Sequence, residues 1–154
     1  MKNKLLIGIL TMTLFIFCYK TSICLEKNIW INDINEKEIK VSLVNIDIKE
    51  ESLNIDKEYN AYAVITMNVQ NNSKNNIELS NIDVYPYQNN EPIKYFVSTS
   101  SEDIKGFIGN LNPKESKIIK MGITLNNTND PIKLEFSNIE DINNSKTIEI
   151  INIK

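Results

Sequence analysis

From Glu38 onward the chain alternates apolar and polar residues with a period of two, the pattern of half-buried strands. Ile39, Val41 and Leu43 share one face, and Val44, Ile46 and Ile48 then take the other. A change of parity between Leu43 and Val44 is what a β-bulge or a crossing between sheets requires. Ala61, Ala63, Ile65, Met67 and Val69 line one face of the next run, and Ile77, Leu79, Ile82 and Val84 anchor the one after it. Pro86 is expected to stop that strand or confine it to an edge, because proline brings no N–H to a ladder. A strand is predicted from Ile93, and clear alternation returns with Ile119, Met121, Ile123 and Leu125. Ile132, Leu134 and Phe136 follow, and then a closing run with Ile148, Ile150 and Ile151 or Ile153 inward.

Between these runs lie Asn-rich clusters at 71–76, 88–92, 126–131 and 140–146. Asn tolerates left-handed backbone and bonds its own chain, so each reads as a turn. The stretch from Ser100 to Pro113 is less regular, with Ile104, Phe107, Ile108 and Leu111 expected to be buried. Asn112-Pro113 forms a corner: Pro113 presets its own φ and holds Asn112 extended, and Glu115 and Ser116 cap the bend. No helical stretch of ten residues is present outside the N-terminus. About seven or eight strands with turns at such intervals predict an all-β chain, an antiparallel β-sandwich.

The N-terminus differs in kind. Lys2 and Lys4 precede an apolar run from Leu5 to Tyr19, which Lys20 ends. Basic, then apolar, then polar is the order of a secretory signal, and about 15 apolar residues fall short of the roughly 20 a spanning helix needs. The expected organisation is a signal helix over 1–24, a linker over 25–37 and the sandwich over 38–154. The expected location is secreted, on the outer face of the cell envelope, with membrane contact only through the N-terminal segment. Two alternatives stay open: an uncleaved anchor, and a lipid on Cys18 or Cys24. Each cysteine follows a bulky residue, Phe17 or Ile23, where lipid attachment favours a small one. Cleavage after Cys24 leaves no cysteine in the body, so the fold must hold by packing.

Composition acts mainly by subtraction. The 154 residues carry a net charge of −3, and all 17 basic residues are Lys. No basic field exists to condense onto a nucleic-acid backbone, and no guanidinium fork is present for bidentate recognition. Histidine is absent, which removes the usual neutral-pH base and the commonest metal ligand. No cofactor and no metal are expected. Asp47, Glu50, Glu51 and Asp56, and the pair Glu102 and Asp103, follow no calcium-loop spacing and read as solvated charge. The run Ser98 to Ser101 lacks a base or a nucleophile elbow to activate it; Lys94 or Lys105 is the only conceivable partner. The three Asn-x-Ser/Thr sequons at Asn71, Asn126 and Asn143 are what an Asn-rich chain produces by chance.

The aromatic residues Tyr85, Tyr87, Tyr95 and Phe96 flank the Gln88–Pro92 turn, and Phe107 follows nearby. They either cover the open face of a sandwich or form a ledge for a partner, since Tyr offers rigid amphipathic area at small entropic cost. These five residues, with the adjoining loop Val97–Phe107, are the candidate binding surface.

Two segments carry a family likeness. Val69, Asn71 and Ser73 match a strand ending in a polar V-x-N-x-S turn. Leu111, Pro113 and Glu115 match an L-x-P-G-E turn, with Lys114 in place of glycine, and Leu134 and Phe136 match a final L-x-F strand. From about Val41 to Ser137 the chain resembles the immunoglobulin-like domain of unknown function of Gram-positive secreted proteins and lipoproteins. That family is often mislabelled with a telomere-repeat-binding-factor name. The resemblance implies an immunoglobulin-like sandwich, and Lys114 implies a different turn type at that corner. The function expected is non-catalytic binding of a protein, peptide or glycan at the cell surface through loops or a strand edge. The alternative is a small proteinase inhibitor presenting Tyr95–Gly106 as a wedge.

Overall fold

The computed structural model describes residues 21–33, 36–98, 103–139 and 146–153, with side chains from Ile39 on. Most of the signal segment expected over 1–24 lies outside the described residues. The strands are β1 (Thr21–Asp33), β2 (Glu36–Lys49), β3 (Leu53–Asn54), β4 (Glu58–Tyr59), β5 (Ala61–Asn71), β6 (Ile77–Glu78) and β7 (Ile82–Gln88). They continue as β8 (Glu91–Pro92), β9 (Tyr95–Phe96), β10 (Asn110–Leu111), β11 (Ser116–Leu125), β12 (Ile132–Asn138) and β13 (Thr147–Ile151). Among the described residues the only helical element is a single 3-10 turn, Leu79–Asn81, and no helix is long and apolar enough to cross a membrane.

One large sheet runs in the order β1-β2-β5-β11-β9 and a second β13-β12-β7-β8, with β10-β6 and β3-β4 as two-stranded ladders, every pairing antiparallel. The facing sides of the two large sheets share one core. Ile39, Leu43, Ile65, Met67 and Ile123 come from the first sheet, and Ile132, Leu134 and Phe136 from the second. The alternation in β5, β11 and β12 therefore reports the buried face directly, as expected for a β-sandwich.

The parity change in β2 is a bulge and no crossing. The register against β5 slips between Leu43 and Asn45, and Val44 is turned out to solvent while Leu43 and Ile46 are both buried. One extra residue thus keeps five apolar side chains of β2 on the same buried side. At Pro86 the strand continues to Gln88. Asn89 and Asn90 both take positive φ, 52° and 62°, and close a two-residue hairpin of the type favoured by strand twist.

Other expectations are corrected. The stretch expected as linker, 25–37, is extended and paired: Ile29 lies opposite Val41 and Ile31 opposite Ile39. Without β1 the long β2 would present a bare ladder of amides and carbonyls, which β1 satisfies. Ile108 is 60% exposed, because Gly106 and Gly109 at positive φ turn the loop outward there. In β13 the residues facing inward are Glu149, Ile151 and, just beyond, Ile153, with Ile148 and Ile150 exposed. Pairing Glu149 with Leu134 and Ile151 with Ile132 sets that parity.

The corner at Pro113 is sealed by hydrogen bonds. Glu115 N–H donates to the Asn112 carbonyl at 3.0 Å with Lys114 at φ 66°, a type II turn carried by lysine at the position that favours glycine. The different turn type expected from Lys114 does not form; the side chain accepts the left-handed backbone instead. Lys114 N–H donates to the Asn71 carbonyl at 2.9 Å, and Asn71 N–H to the Glu115 carbonyl at 3.0 Å. The wholly buried Asn71 side chain donates to the carbonyls of Asn75 and Leu111 and accepts from Ser73 N–H. Gln88 plays the same part at the opposite end, its buried amide bonding the main chain of Asn126, Asn127 and Asp130.

Candidate functional site

After Pro92 the chain leaves the second sheet and crosses to the first, and the molecule is open along this flank. The direction of each main-chain group follows from the ladders. Ile93 N–H donates to the Pro86 carbonyl at 3.0 Å, and Ile139 N–H donates to the Asn81 carbonyl at 2.9 Å. The amide and carbonyl of one strand residue point to the same side, and the side alternates along the strand. Asn81, Asp83, Tyr85 and Tyr87 therefore face β12, and Ile82, Val84 and Pro86 face the flank. Pro86 accordingly lacks its N–H where only the edge is affected, which is how a proline is tolerated inside β7.

Two-residue β8 covers only Tyr87 and Gln88 of β7. Ile82 N–H is used by the Leu79 carbonyl at the end of the 3-10 turn. Below Pro86, no described residue pairs with the N–H or carbonyl of Val84 or with the carbonyl of Ile82. The same holds across the gap. Lys94 accepts from Thr124 N–H with its carbonyl, so Lys94 and Phe96 face β11, and the main-chain groups of Tyr95 and Val97 face away from it.

Between these two edges lies a groove of about 510 Å³ whose lining includes Ile82, Tyr85, Tyr95, Val97, Phe107 and Met121. A second cleft of about 370 Å³ at Tyr87 and Pro92 adjoins it through Val84, Tyr85 and Tyr95. Tyr95 pairs with Ile123 and so sits on the core-facing side of its sheet. It is nonetheless 63% exposed, and Val97 55%, because the opposing sheet ends before it reaches them. Gly106 closes the wall from the other side. Its left-handed φ of 67° brings it so near Val97 that a Cβ there would lie 3.2 Å from the valine side chain. Gly106 N–H donates to the Lys120 carbonyl and Ser98 pairs with Ile104, fixing the loop on the edge of β11.

Of the five aromatic candidates, Tyr85, Tyr95 and Phe107 meet at the groove and Tyr87 lines the adjoining cleft. Phe96 is elsewhere. Its ring lies over Gly122 on the outer face, where any Cβ would sit 2.4 Å from a ring atom. There it meets Tyr62 edge-on, centroids 5.7 Å apart. The proposed wedge Tyr95–Gly106 is described only at its two ends. Val97, the first residue of the candidate loop, lines the groove two residues from Tyr95 on the same face, and Ile108, expected to be buried, is an exposed apolar residue beside it.

The polar surroundings are structural in character. Tyr85 hydroxyl donates to Asp83 at 3.1 Å, and that carboxylate raises the phenol pKa. Lys133 stands 4.2 Å above the Tyr87 ring and shares Glu135 with Lys146 at 3.1 and 3.3 Å. Their hydrogen bonds hold the Glu135 carboxyl below its ordinary range. Lys94 is ion-paired with Asp56, which also accepts from Tyr59. The Lys94 bond lowers the Asp56 pKa and raises that of Lys94. Among the described residues no three acidic or cysteine side chains gather as a metal site would require.

Comparison with known proteins supports the architecture. No family model and no curated protein matches the chain. Among solved structures, an uncharacterized β-sandwich protein from Clostridium difficile 630 superposes with a TM-score of 0.51 at 16% identity, covering 86% of this chain and 93% of its own. A conserved hypothetical protein from Bacillus anthracis gives 0.57 at 13% identity, over 88% and 97%. A "putative lipoprotein (ycdA)" from Bacillus subtilis gives 0.58 at 10% identity over 82% of this chain. This chain spans 38% of that protein's length. At these identities the likeness is one of fold: the chain shares a β-sandwich architecture with uncharacterised proteins of Gram-positive bacteria.

Proposed function

We propose that the chain is a secreted, cell-envelope-associated binding module without catalytic activity, of the immunoglobulin-like kind its turn motifs resemble, and that its binding surface is the open flank. The observation that carries this reading is the groove of about 510 Å³, in the size range of natural ligand sites. Its exposed apolar residues, Tyr95, Val97 and Ile108, line one groove together, whereas monomeric proteins usually scatter such residues singly. The basic-then-apolar N-terminus and the fold shared with a Bacillus subtilis protein described as a "putative lipoprotein" support the envelope location.

The test is to express the full chain in a Gram-positive host with a photo-crosslinking phenylalanine at Tyr95 or, as control, at Lys74 in the distant Asn-rich turn. The expected result is recovery in the envelope or medium, with adducts from position 95 well above those from position 74. Recovery of unprocessed chain in the cytoplasm, or equal adducts from both positions, would contradict it.

A further inference from the structure

We infer that the occupant of the flank is an extended polypeptide segment of a partner protein, which adds to β7 as the missing continuation of β8. This deepens the binding-module reading and rests on it. Three observations converge. First, β7 offers main-chain groups in the alternation of a ladder: the carbonyl of Ile82, then the N–H and carbonyl of Val84. A row of alternating donors and acceptors is complementary to another main chain, whereas a glycan presents hydroxyls without that repeat. Second, the groove lies where β8 would run if it were longer, beneath the core-facing side of β9 and β11. Third, its lining is mostly apolar, and Tyr95, Val97 and Met121 come from the sheet opposite β7.

A strand bonded to β7 would send every second side chain into the groove, against Val97, Phe107 and Met121. The side chains between them would face solvent beside Tyr85. The partner is therefore a segment alternating apolar and polar residues, with the apolar set inward. The same geometry explains the exposure of Tyr95 and Val97 on a core-facing side: they are the lid of a core position that the chain itself leaves vacant.

The test uses the full chain, ¹⁵N-labelled in mild detergent, titrated with acetylated heptapeptides alternating Thr with Val, Leu or Phe, up to about 1 mM, the weak end of useful affinity. Each peptide is also made in two N-methylated forms, one for each parity of its amides, and chitohexaose serves as the glycan arm. Strand addition predicts amide shifts at Val84 and Val97 and at least tenfold slower exchange of the Val84 amide. Methylation on one parity should weaken binding at least tenfold and on the other leave it intact. Val97→Asp, at an exposed position, should weaken binding similarly while the urea midpoint stays fixed.

Equal effects of the two methylation patterns, or binding without protection of Val84, would overturn strand addition. So would no binding of any peptide, or shifts at the flank with chitohexaose alone. If crosslinks from position 95 persist in those cases, the binding-module reading survives. If they too are absent, both fall.

Discussion

The sealed corner at Asn71 and Pro113 and the open flank at Val84 and Tyr95 are built from similar material and end in opposite states. Both are places where a strand stops and the chain changes direction. At the corner, Asn71 is wholly buried and its side chain meets three main-chain groups. Lys114 and Glu115 exchange bonds with Asn71 as well. At the flank, the main-chain groups of Val84, Tyr95 and Val97 have no partner among the described residues. The lesson is one of accounting: a fold uses its own polar side chains to close the ladders it needs for stability, and an edge left open beside an apolar groove is available to another chain.

The largest expected effect lies at the corner. Asn71→Ala removes three hydrogen bonds in a buried place and should cost about 3 kcal/mol, since each stranded buried group costs about 1–3. Urea unfolding would read this as a lower midpoint. A loss below about 1 kcal/mol would mean that the corner is not what closes this end. At the same corner, Lys114→Gly should stabilise by roughly 0.5–1 kcal/mol, because it relieves left-handed backbone on a residue with a Cβ. The bond from Lys114 Nζ to the Asn72 carbonyl offsets part of that gain. At the flank, Tyr95→Ser should leave stability within about 0.5 kcal/mol, as is usual for exposed positions without a structural partner. A larger loss in thermal unfolding would show Tyr95 to be structural.

The smallest effect is electrostatic. Asp56 is bound by Lys94, and its folded-state pKa lies below the ordinary 3.8. The unfolded chain therefore binds the proton more readily, so the pair's contribution is full above about pH 4 and fades as acid drives pH through the folded value. Lys94 carries the reciprocal rise above its ordinary 10.5, so the contribution persists until pH climbs through that raised value. Asp56→Asn should show its deficit at pH 7 and see it shrink progressively as pH falls below the ordinary 3.8, measured as urea midpoints against the parent. A deficit unchanged across that range would place the role of Asp56 in packing.

How much of this was legible in the sequence differs by element. Faces in β5, β11 and β12 could be read because each strand has a single apolar parity and no competing one. The bulge at Val44 was legible as a broken parity, though only the register shows that both halves of β2 face the same core. In β13 the run Ile148 to Ile153 is apolar on either parity, and its partner β12 decides, turning Glu149 inward. Strand β1 was read as linker because charge and Asn interrupt its apolar residues; its place comes from the unsatisfied edge of β2, a property of another strand. Four of the five aromatic candidates gather at the flank: Tyr85, Tyr87 and Tyr95 because they surround one hairpin, and Phe107 because the loop after Val97 returns along the edge of β11. Phe96 goes to the opposite face by the alternation that puts Tyr95 inward. The groove itself was not legible, because it depends on where β8 ends.

Amide hydrogen exchange on the unliganded chain compares the two regions most directly. Lys114, on the surface but bonded to Asn71, should exchange slowly, together with Ile65 and Tyr85 in the sheet interiors. Val84, with a buried side chain but an amide turned to the flank, should exchange far faster, along with Tyr95 and Val97. Slow exchange at Val84 and fast exchange at Lys114 would contradict the account, because the flank would then be closed and the corner open.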